Sequence, residues 1–253
     1  MIKFHFNSFS NDVEDGLSAT VYFPKCNLRC RYCYNLKGLD TDIDSLTLDQ
    51  VKEQISNLKV NSICRVDYIV FSGGECTLHY KELKELIQYA KSLGFKTALY
   101  TNGIDNTQLL YDLYNEVKID FTSIDFKIWS DSNPSLIGLT PETYLRKLKT
   151  TITTISNYSP YSLRTVLCKL STSLKADSYC ECFKNLIEYT ARKPKSIHIS
   201  NVIINKDNYF FTEEDRLNES VSEEELKDFT KSVKQFIESN GISTKVYKHY
   251  LNT

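Results

Sequence analysis

The chain has 253 residues, of which 41% are hydrophobic and 25% are charged, which excludes a disordered polypeptide and predicts a globular protein with a full core. The 31 basic and 32 acidic residues give a formal net charge of -1, which excludes a strong overall attraction to nucleic acid or to an anionic membrane. No apolar run approaches the ~20 residues that span a bilayer, and residues 1–12 lack the apolar segment of a secretory signal. We therefore expect a cytoplasmic protein whose eight cysteines are thiols or metal ligands.

Apolar runs rich in β-branched and aromatic residues predict six strands, at residues 17–23, 66–72, 95–101, 119–127, 161–168 and 196–204. Segments with helical spacing of apolar residues separate the strands. Several begin with a recognisable cap, namely Thr47 with Gln50, Thr140 with Pro141, and Ser222 with Glu225. The helix that Pro141 opens is predicted to bury Leu145, Leu148, Ile152 and Ile155.

Alternating strands and helices predict an α/β fold with a parallel sheet. Six strand–helix repeats are fewer than the eight that close a TIM barrel, so we predict a partial (β/α)6 barrel with a curved parallel sheet and outer helices. No linker divides the sequence, which favours a single domain over 1–253, with a core at about 15–204 and a C-terminal extension at 205–253. The longest irregular segment, residues 205–220, is expected to be a lid or a docking loop.

Three cysteines, Cys26, Cys30 and Cys33, stand close together directly after the first predicted strand. Cysteine thiolates hold iron–sulfur clusters, and three of them can hold three corners of a 4Fe-4S cube and leave one iron open for chemistry. The alternative is a closed zinc site that His79 completes as a fourth ligand. Zinc modules usually show two ligand pairs separated by a spacer, so the single uneven triplet favours the cluster.

Polar motifs follow the next three predicted strands: Gly73-Gly74-Glu75, Thr101-Asn102-Gly103 and Asp125-Phe126-Lys127. Active sites of parallel sheets lie at the carboxyl ends of the strands, so we expect these motifs and the cysteines to share one edge. Two adjacent glycines let backbone groups approach a ligand, and backbone carbonyls can accept hydrogen bonds from an ammonium group. The simpler interpretations are an ordinary turn for the glycines and a surface ion pair for Asp125 and Lys127, worth ~0 to 1 kcal/mol.

The pattern Cys-x3-Cys-x-aromatic-Cys after one strand, followed by Gly-Gly-Glu after the next, resembles the radical S-adenosylmethionine (SAM) superfamily. The resemblance implies a 4Fe-4S cluster bound by Cys26, Cys30 and Cys33, with SAM on the open iron. In that family the reduced cluster cleaves SAM to a 5′-deoxyadenosyl radical that abstracts a hydrogen atom, and the aromatic residue, here Tyr32, borders the adenine. The family commonly has proline after the glutamate, where this chain has Cys76.

Within that superfamily the chain is similar to the activating enzymes of glycyl radical enzymes, particularly those serving anaerobic ribonucleotide reductase. The similarity lies in residues 12–16, Cys33-Tyr34-Asn35, the two motifs after strands three and four, and residues 136–140. It implies a glycyl radical enzyme as partner, reduced flavodoxin or ferredoxin as electron donor, and Asp125 and Lys127 near the carboxylate end of SAM. The implied SAM-binding residues are Tyr32, Asn35, Gly73, Gly74, Glu75, Thr101, Asn102, Asp125, Lys127, Arg164 and His198.

Two departures from the activating enzymes leave the substrate open. Those enzymes usually carry Cys-His-Asn where this chain has Cys-Tyr-Asn, and the Pro-Gly that follows their fifth strand is missing here. The alternatives are a radical SAM enzyme that modifies a small molecule, a nucleobase or a peptide, and a zinc-stabilised binding module. The five remaining cysteines form no Cys-x2-Cys pair and are predicted to be buried or partly buried free thiols: Cys64, Cys76, Cys168, Cys180 and Cys182.

Overall fold

The structure is a computed structural model, and it describes residues 3–10, 13, 16–33, 45–60, 66–104, 107–169, 174–202 and 220–249. Several predicted features lie outside the described residues: Tyr34 and Asn35 of the cysteine loop, Cys64, and nearly all of segment 205–220. None of the described helices combines the length and the apolar character that crossing a membrane requires.

Strands and helices alternate along the chain after the first two strands. The described strands are β1 (His5–Ser10), β2 (Ser18–Phe23), β3 (Tyr68–Gly73), β4 (Lys96–Thr101), β5 (Phe121–Asp125), β6 (Tyr161–Leu167), β7 (Ser196–Asn201) and β8 (Lys245–His249). The described helices are α1 (Leu48–Val60), α2 (Tyr80–Ser92), α3 (Thr107–Glu116), α4 (Pro141–Tyr158), α5 (Ala176–Ile187) and α6 (Glu223–Ser239). All six predicted strands are therefore present, each with a helix after it.

Hydrogen bonds order the strands of the sheet as they occur in the chain, from β1 to β8. β2, β3 and β4 are parallel neighbours, as are β6, β7 and β8, whereas β1 pairs antiparallel with β2. Parallel neighbours need a crossover connection, which the intervening helices supply. The predicted α/β fold with a mostly parallel sheet and helices between its strands is confirmed.

Two strands, β1 and β8, have no counterpart among the predicted strands. β8 alternates Lys245, Val246, Tyr247, Lys248 and His249, and all of these side chains are exposed or half-buried. Outer strands of a sheet commonly carry such charged residues, because the charge discourages pairing with another chain. Backbone pairing with β7 defines β8, and its low apolar content explains why hydrophobicity does not predict it.

The chain divides into two compact units, and β5 begins in the first and ends in the second. The described residues of the first unit are 3–10, 13, 16–27, 45–60, 66–101 and 107–123. Those of the second unit are 28–33, 102–104, 124–169, 174–202 and 220–249.

In the first unit, the strands bury Ile69, Phe71 and Leu99, and α1 buries Ile55. The predicted capping box of α1 is present, because the Thr47 amide donates to Gln50 Oε1 at 2.8 Å and the Gln50 amide donates to Thr47 Oγ1 at 3.3 Å. Such caps satisfy amides that lack a partner inside the helix and contribute about 1 kcal/mol.

In the second unit, α4 buries Leu148, Ile152 and Ile155 as predicted, but Leu145 is only half-buried and Tyr144 is fully buried in its place. Residues 144, 148, 151 and 155 recur at spacings of four, three and four, so they form one helical stripe. The inward assignment of Leu145 is therefore wrong by one position, and Tyr144 faces the core.

An aromatic cluster fills the same unit and consists of Phe126, Trp129, Tyr179 and Phe229. The centroid of the Phe126 ring lies 4.7 Å from that of Tyr179, and the Trp129 ring lies 6.0 Å from that of Phe229. Phe229 belongs to α6, so part of the predicted C-terminal extension contributes to the core of the second unit. Phe126 is anchored in this cluster, and its two chain neighbours, Asp125 and Lys127, are candidate site residues.

Candidate active site

The Gly73-Gly74-Glu75 loop is bound to the chain that follows β2, within the first unit. The Gly74 amide donates to the Phe23 carbonyl and the Glu75 amide donates to the Lys25 carbonyl, each at 2.8 Å. Gly73 has φ +114°, and a Cβ atom there would lie 2.2 Å from the Phe23 backbone nitrogen. Position 73 therefore requires glycine for a reason internal to the sheet, the close approach of two strand ends.

The carboxylate of Glu75 is buried and held by hydroxyl groups. Its Oε1 accepts hydrogen bonds from the Thr77 hydroxyl at 2.7 Å and from the Thr101 hydroxyl at 2.8 Å. Glu75 also caps a short 3-10 helix, Cys76–His79. The structure thus brings two predicted site residues, Glu75 and Thr101, into direct contact and fixes the carboxylate as a hydrogen-bond acceptor.

His79, the fourth ligand in the zinc alternative, is engaged elsewhere in the first unit. Its Nε2 lies 2.9 Å from the Pro24 carbonyl oxygen, and its ring stacks on Phe23 with centroids 5.8 Å apart. A carbonyl oxygen can only accept, so Nε2 carries the proton in this contact and the lone pair of the ring lies on Nδ1. The contact fixes the orientation of the ring through the nitrogen that does not carry the lone pair.

Four of the remaining cysteines are buried, namely Cys76, Cys168, Cys180 and Cys182. Cys76 donates weak hydrogen bonds to two carbonyl oxygens of the first unit, those of Phe71 and Tyr100, each at 3.5 Å. Burial raises the pKa of the Cys180 thiol to about 12, so that sulfur stays protonated at neutral pH.

Backbone hydrogen bonds hold the second half of the cysteine loop within the second unit. The Arg31 amide donates to the Leu136 carbonyl at 2.8 Å, and the Arg29 amide donates to the Ile137 carbonyl at 3.3 Å. The Cys33 amide donates to the Cys30 carbonyl at 3.1 Å, so both cysteines belong to one turn. Cys30 is buried and Cys33 is half-buried.

Cys26, the first cysteine of the triplet, belongs to the first unit and is half-buried. Within the described part of the chain, no group of three or more His, Cys, Asp or Glu side chains is arranged as a metal site. The assignment of Cys26, Cys30 and Cys33 to a cluster therefore rests on their spacing in the sequence and on the family described below.

Asp125, Lys127 and Arg164 form a partly buried charge cluster in the second unit. Asp125 Oδ2 lies 2.8 Å from Lys127 Nζ, and Asp125 Oδ1 lies 2.9 Å from Arg164 Nη2 and 3.1 Å from Arg164 Nε. The side chains of Asp125 and Lys127 are 20% and 16% exposed, so this is not the loose surface pair of the simpler interpretation. One carboxylate between two cations leaves a net charge of +1, which suits an anionic ligand.

The charges of this cluster stabilise one another. Burial by itself would raise the pKa of Asp125, but Arg164 and Lys127 outweigh it and hold that pKa below its ordinary value. Burial would likewise lower the pKa of Lys127, but the charge of Asp125 outweighs it and holds that pKa well above its ordinary value. Both groups therefore remain charged over the physiological pH range.

Tyr32 lies against this cluster, with Lys127 Nζ 5.8 Å from its ring centroid. Burial raises the pKa of Tyr32 well above its ordinary value, so the phenol stays neutral. Its hydroxyl is buried and is one of four buried side-chain polar atoms, among the residues described, that have no hydrogen-bond partner. Buried polar groups are nearly always satisfied, so this one fits a site that is completed by a polar ligand. An unsatisfied hydroxyl beside the Lys127 ammonium suits a polar ligand that carries a carboxylate.

The Thr101-Asn102-Gly103 motif makes a tight turn. Asn102 Oδ1 accepts from the Ile104 amide at 2.9 Å, and Gly103 has φ +74° with its missing Cβ position 2.6 Å from Leu148 Cδ1. The side-chain oxygen of Asn102 thus holds the turn, whereas its predicted role toward SAM stays a prediction.

His198 occupies β7 in register with Arg164 on β6 and Tyr247 on β8. Residues in register on parallel strands project from the same face of the sheet, so His198 and Arg164 share one face. The His198 Nδ1 lies 3.0 Å from His249 Nε2, its Nε2 lies 3.0 Å from Ser196 Oγ, and its ring stacks on Tyr247. His198 is therefore part of a polar and aromatic row that reaches β8.

Tyr144 is a site residue that the sequence analysis misses. Its hydroxyl donates to the Asp125 carbonyl at 2.7 Å and accepts from the Lys127 amide at 2.9 Å. The sequence pattern that could have identified Tyr144 is its spacing, because it lies four residues before Leu148 on the buried stripe of α4.

The family model described as the radical SAM superfamily matches residues 20–160, which are more than half of the chain. A protein of Methanocaldococcus jannaschii that is provisionally named a glycyl-radical enzyme activating enzyme is 33% identical over 116 residues, covering 46% of this chain and 45% of that protein. An S-adenosylmethionine-dependent nucleotide dehydratase of Selenomonas ruminantium is 42% identical over 79 residues, covering 31% of this chain and 27% of that protein. The matches thus span less than half of the length of either relative.

Among solved structures, Streptococcus suis SuiB bound to S-adenosylmethionine has the same fold, with a TM-score of 0.61 at 17% identity. The match covers 92% of this chain and 46% of that one. The cysteine spacing, the glycine-rich loop and the strand-end charges thus occur on the expected fold and within the matched region. The chain belongs to the radical SAM superfamily.

Proposed function

We propose that this protein binds a 4Fe-4S cluster through Cys26, Cys30 and Cys33 and cleaves SAM reductively. When bound, the cluster would supply the electron that splits SAM into methionine and a 5′-deoxyadenosyl radical. The observation that carries the proposal is membership of the radical SAM superfamily over a region that contains all three cysteines. The contribution of the chain is to hold the thiolates, orient SAM and exclude water.

Two sets of site residues have the chemistry that suits the two polar groups of the methionine part of SAM, its ammonium and its carboxylate. Glu75, fixed by Thr77 and Thr101, is an acceptor for the SAM ammonium group. Lys127 and Arg164 carry a net positive charge, with Asp125 between them, and suit the SAM carboxylate. The Tyr32 hydroxyl is a further donor or acceptor for the bound cofactor. Gly74, Asn102, His198 and Asn35 keep their predicted roles around SAM as part of this proposal.

We favour a backbone glycine of a partner enzyme as the substrate. The M. jannaschii relative favours this function, as do the strand-end motifs shared with activating enzymes. Such an enzyme requires a glycyl radical enzyme as partner, for example anaerobic ribonucleotide reductase, and a low-potential electron donor such as flavodoxin or ferredoxin. We expect this reaction to require anaerobic conditions, because oxygen destroys open clusters and glycyl radicals.

A second candidate function is radical modification of a small molecule. The nucleotide dehydratase of S. ruminantium shares a higher identity over a shorter segment and favours a nucleotide as substrate. The zinc-stabilised binding module is disfavoured, because the radical SAM family model matches the region that contains the three cysteines.

The test begins with anaerobic reconstitution of the full chain with iron and sulfide, followed by SAM and dithionite. We expect 5′-deoxyadenosine and methionine in equal amounts, and failure to form them would refute the radical SAM assignment. Anaerobic ribonucleotide reductase co-purified with the chain is then added, and a glycyl radical detected by electron paramagnetic resonance supports the activating function. Deoxyadenosine without a protein radical, together with consumption of a nucleotide from a defined mixture, supports the second function instead.

A further inference from the structure

The hydroxyl group of Tyr144 makes two hydrogen bonds to the backbone on either side of Phe126. It donates to the Asp125 carbonyl oxygen at 2.7 Å and accepts from the Lys127 amide at 2.9 Å. Tyr144 is fully buried on α4, and burial raises the pKa of its phenol, so the hydroxyl keeps the proton that it donates.

These two bonds have the pattern of a parallel β-ladder. In a parallel pair, one residue of a strand donates to the carbonyl of residue i of its neighbour and accepts from the amide of residue i+2. The Tyr144 hydroxyl makes both bonds with a single oxygen atom, to residues 125 and 127. It therefore replaces one residue of a neighbouring strand at the point where β5 ends, at Asp125.

The opposite edge of the same segment is held by β6. The Phe126 amide donates to the Arg164 carbonyl at 2.7 Å, and the Phe126 carbonyl accepts from the Thr165 hydroxyl at 3.1 Å. The chain from Asp125 to Lys127 is thus bonded on both edges and stays extended beyond the last residue of the strand.

An extended backbone at this point has a direct consequence for the charge cluster. Residues i and i+2 of an extended chain project to the same face, while residue i+1 projects to the other. Phe126 enters the aromatic cluster, and Asp125 and Lys127 meet with Oδ2 and Nζ 2.8 Å apart. Without the Tyr144 hydroxyl, the Lys127 amide would lose its acceptor, and the segment would be free to turn away from this geometry.

We propose that Tyr144 is a positioning residue for SAM: through its two backbone hydrogen bonds it holds Asp125 and Lys127 in the arrangement that receives the SAM carboxylate. The inference rests on the proposed function for its statement about SAM, whereas the backbone geometry is independent of that function. The matching variant is Tyr144→Phe, which removes one oxygen atom and keeps the ring in the core. Tyr161→Phe is the control, because Tyr161 is a fully buried tyrosine of the same unit.

The first measurement is hydrogen exchange of the Lys127 amide in the cluster-free protein, followed by NMR or by mass spectrometry of short peptides. Tyr144→Phe should accelerate exchange at Lys127 by about tenfold or more, since the amide loses its acceptor, whereas Tyr161→Phe should leave it unchanged. Unchanged protection of Lys127 in Tyr144→Phe would overturn the proposal. This measurement needs neither cluster nor SAM.

The second measurement is the dissociation constant of SAM for the reconstituted protein, by equilibrium dialysis under anaerobic conditions, with iron content and Tm as checks on loading and folding. Tyr144→Phe should raise the constant about tenfold, because displacement of the Lys127 ammonium weakens a charge-assisted hydrogen bond to the SAM carboxylate. In a Lys127→Met background the same change should add less than about twofold, because both variants disturb one interaction.

Equal tenfold effects of Tyr144→Phe in both backgrounds would overturn the proposal, since they would show that Tyr144 does not act through Lys127. A merely structural role predicts a lower Tm for Tyr144→Phe with unchanged affinity per loaded cluster, and that result would overturn it as well. If the wild-type protein binds no SAM, the proposed function and the role of Tyr144 toward SAM both fail. A wild-type protein that binds SAM without coupling between the two variants refutes the role of Tyr144 alone.

Discussion

The expected role of a cysteine in this protein depends on the element that carries it and not on its burial alone. Cys30 and Cys182 are similarly buried, at 8% and 7% exposed, yet Cys30 lies in the turn that also holds Cys33, whereas Cys182 lies in α5. Cys180, a near neighbour of Cys182, is held protonated by burial. Thiols of equal exposure thus have different expected roles because of the elements that carry them.

Cys30→Ala should abolish SAM cleavage, because the change removes one of three thiolate ligands. Cys182→Ala, which removes a thiol of similar burial, should leave the yield of deoxyadenosine per iron unchanged within about twofold and cost about 1 to 2 kcal/mol of stability. Deoxyadenosine is quantified by chromatography after anaerobic reconstitution. Retained cleavage in Cys30→Ala would show that the cluster ligands are misassigned.

Arg164→Gln should raise the pKa of Asp125, because the guanidinium group is the strongest of the neighbours that hold that pKa down. A carboxyl group with a depressed pKa contributes stability above its unfolded value of 3.8, and this contribution is lost as the pH falls through the folded value. In the variant the loss should begin at a higher pH. The carboxyl carbon resonance of Asp125, followed by NMR during an acid titration of the cluster-free protein, reports the midpoint.

Arg146→Gln, on an exposed position of α4, is the control for charge removal in the same unit. The midpoint for Asp125 should stay where it is in that variant. An Arg164→Gln midpoint equal to that of the wild type would contradict the charge cluster as described.

At the scale of strands and helices, backbone hydrogen bonds between strand ends hold the loops that carry the candidate site residues. The ends of β2 and β3 are joined by backbone hydrogen bonds from Gly74 and Glu75, so the glycine loop and the chain leading to Cys26 form one structure within the first unit. Gly73 permits this junction, because its missing Cβ would overlap the backbone of Phe23. Backbone hydrogen bonds and the close approach of the two strand ends therefore fix the position of the glycine loop relative to β2 and β3.

Gly73→Ala should destabilise the first unit by about 2 to 4 kcal/mol, because it combines a φ of +114° with a backbone overlap at 2.2 Å. Gly94→Ala is the matched control: its φ is +83°, and the nearest atom to a Cβ there is Lys59 Nζ at 3.5 Å, so about 1 kcal/mol is expected. Urea unfolding of the cluster-free protein measures both. Equal costs for the two variants would show that the strand junction tolerates a side chain.

At the scale of the whole molecule, the metal content distinguishes a radical SAM enzyme from a zinc-stabilised binding module. Anaerobically purified and reconstituted protein should contain about four irons with matching sulfide and no stoichiometric zinc. His79→Gln should leave the iron content unchanged, because the proposed cluster takes its protein ligands from three cysteines. One zinc per chain that is lost in His79→Gln would instead establish the zinc-stabilised binding module.

Much of the fold follows from local sequence patterns. The six predicted strands are all present, and so are the capping boxes at Thr47 and Ser222, because apolar spacing and caps act within a few residues of the chain. The strand-end positions of the glycine loop and of Asp125 follow from the same patterns. β1 and β8 were missed because their partners, and not their own apolar content, make them strands.

The cysteine triplet, the glycine loop and the charged motif can be recognised from the sequence alone, because each consists of reactive or charged residue types only a few positions apart. Contacts between residues far apart in the chain were decided only by the folded structure. Arg164 reaches Asp125 across 39 positions, and His79 reaches Pro24 across 55. In the sequence, nothing distinguishes Tyr144 from other residues near the start of a helix. Only in the folded structure does its hydroxyl hydrogen-bond to the backbone of Asp125 and Lys127 at the end of β5. Hydrogen bonds of this kind depend on distances that the fold sets, which is why spacing alone does not predict them.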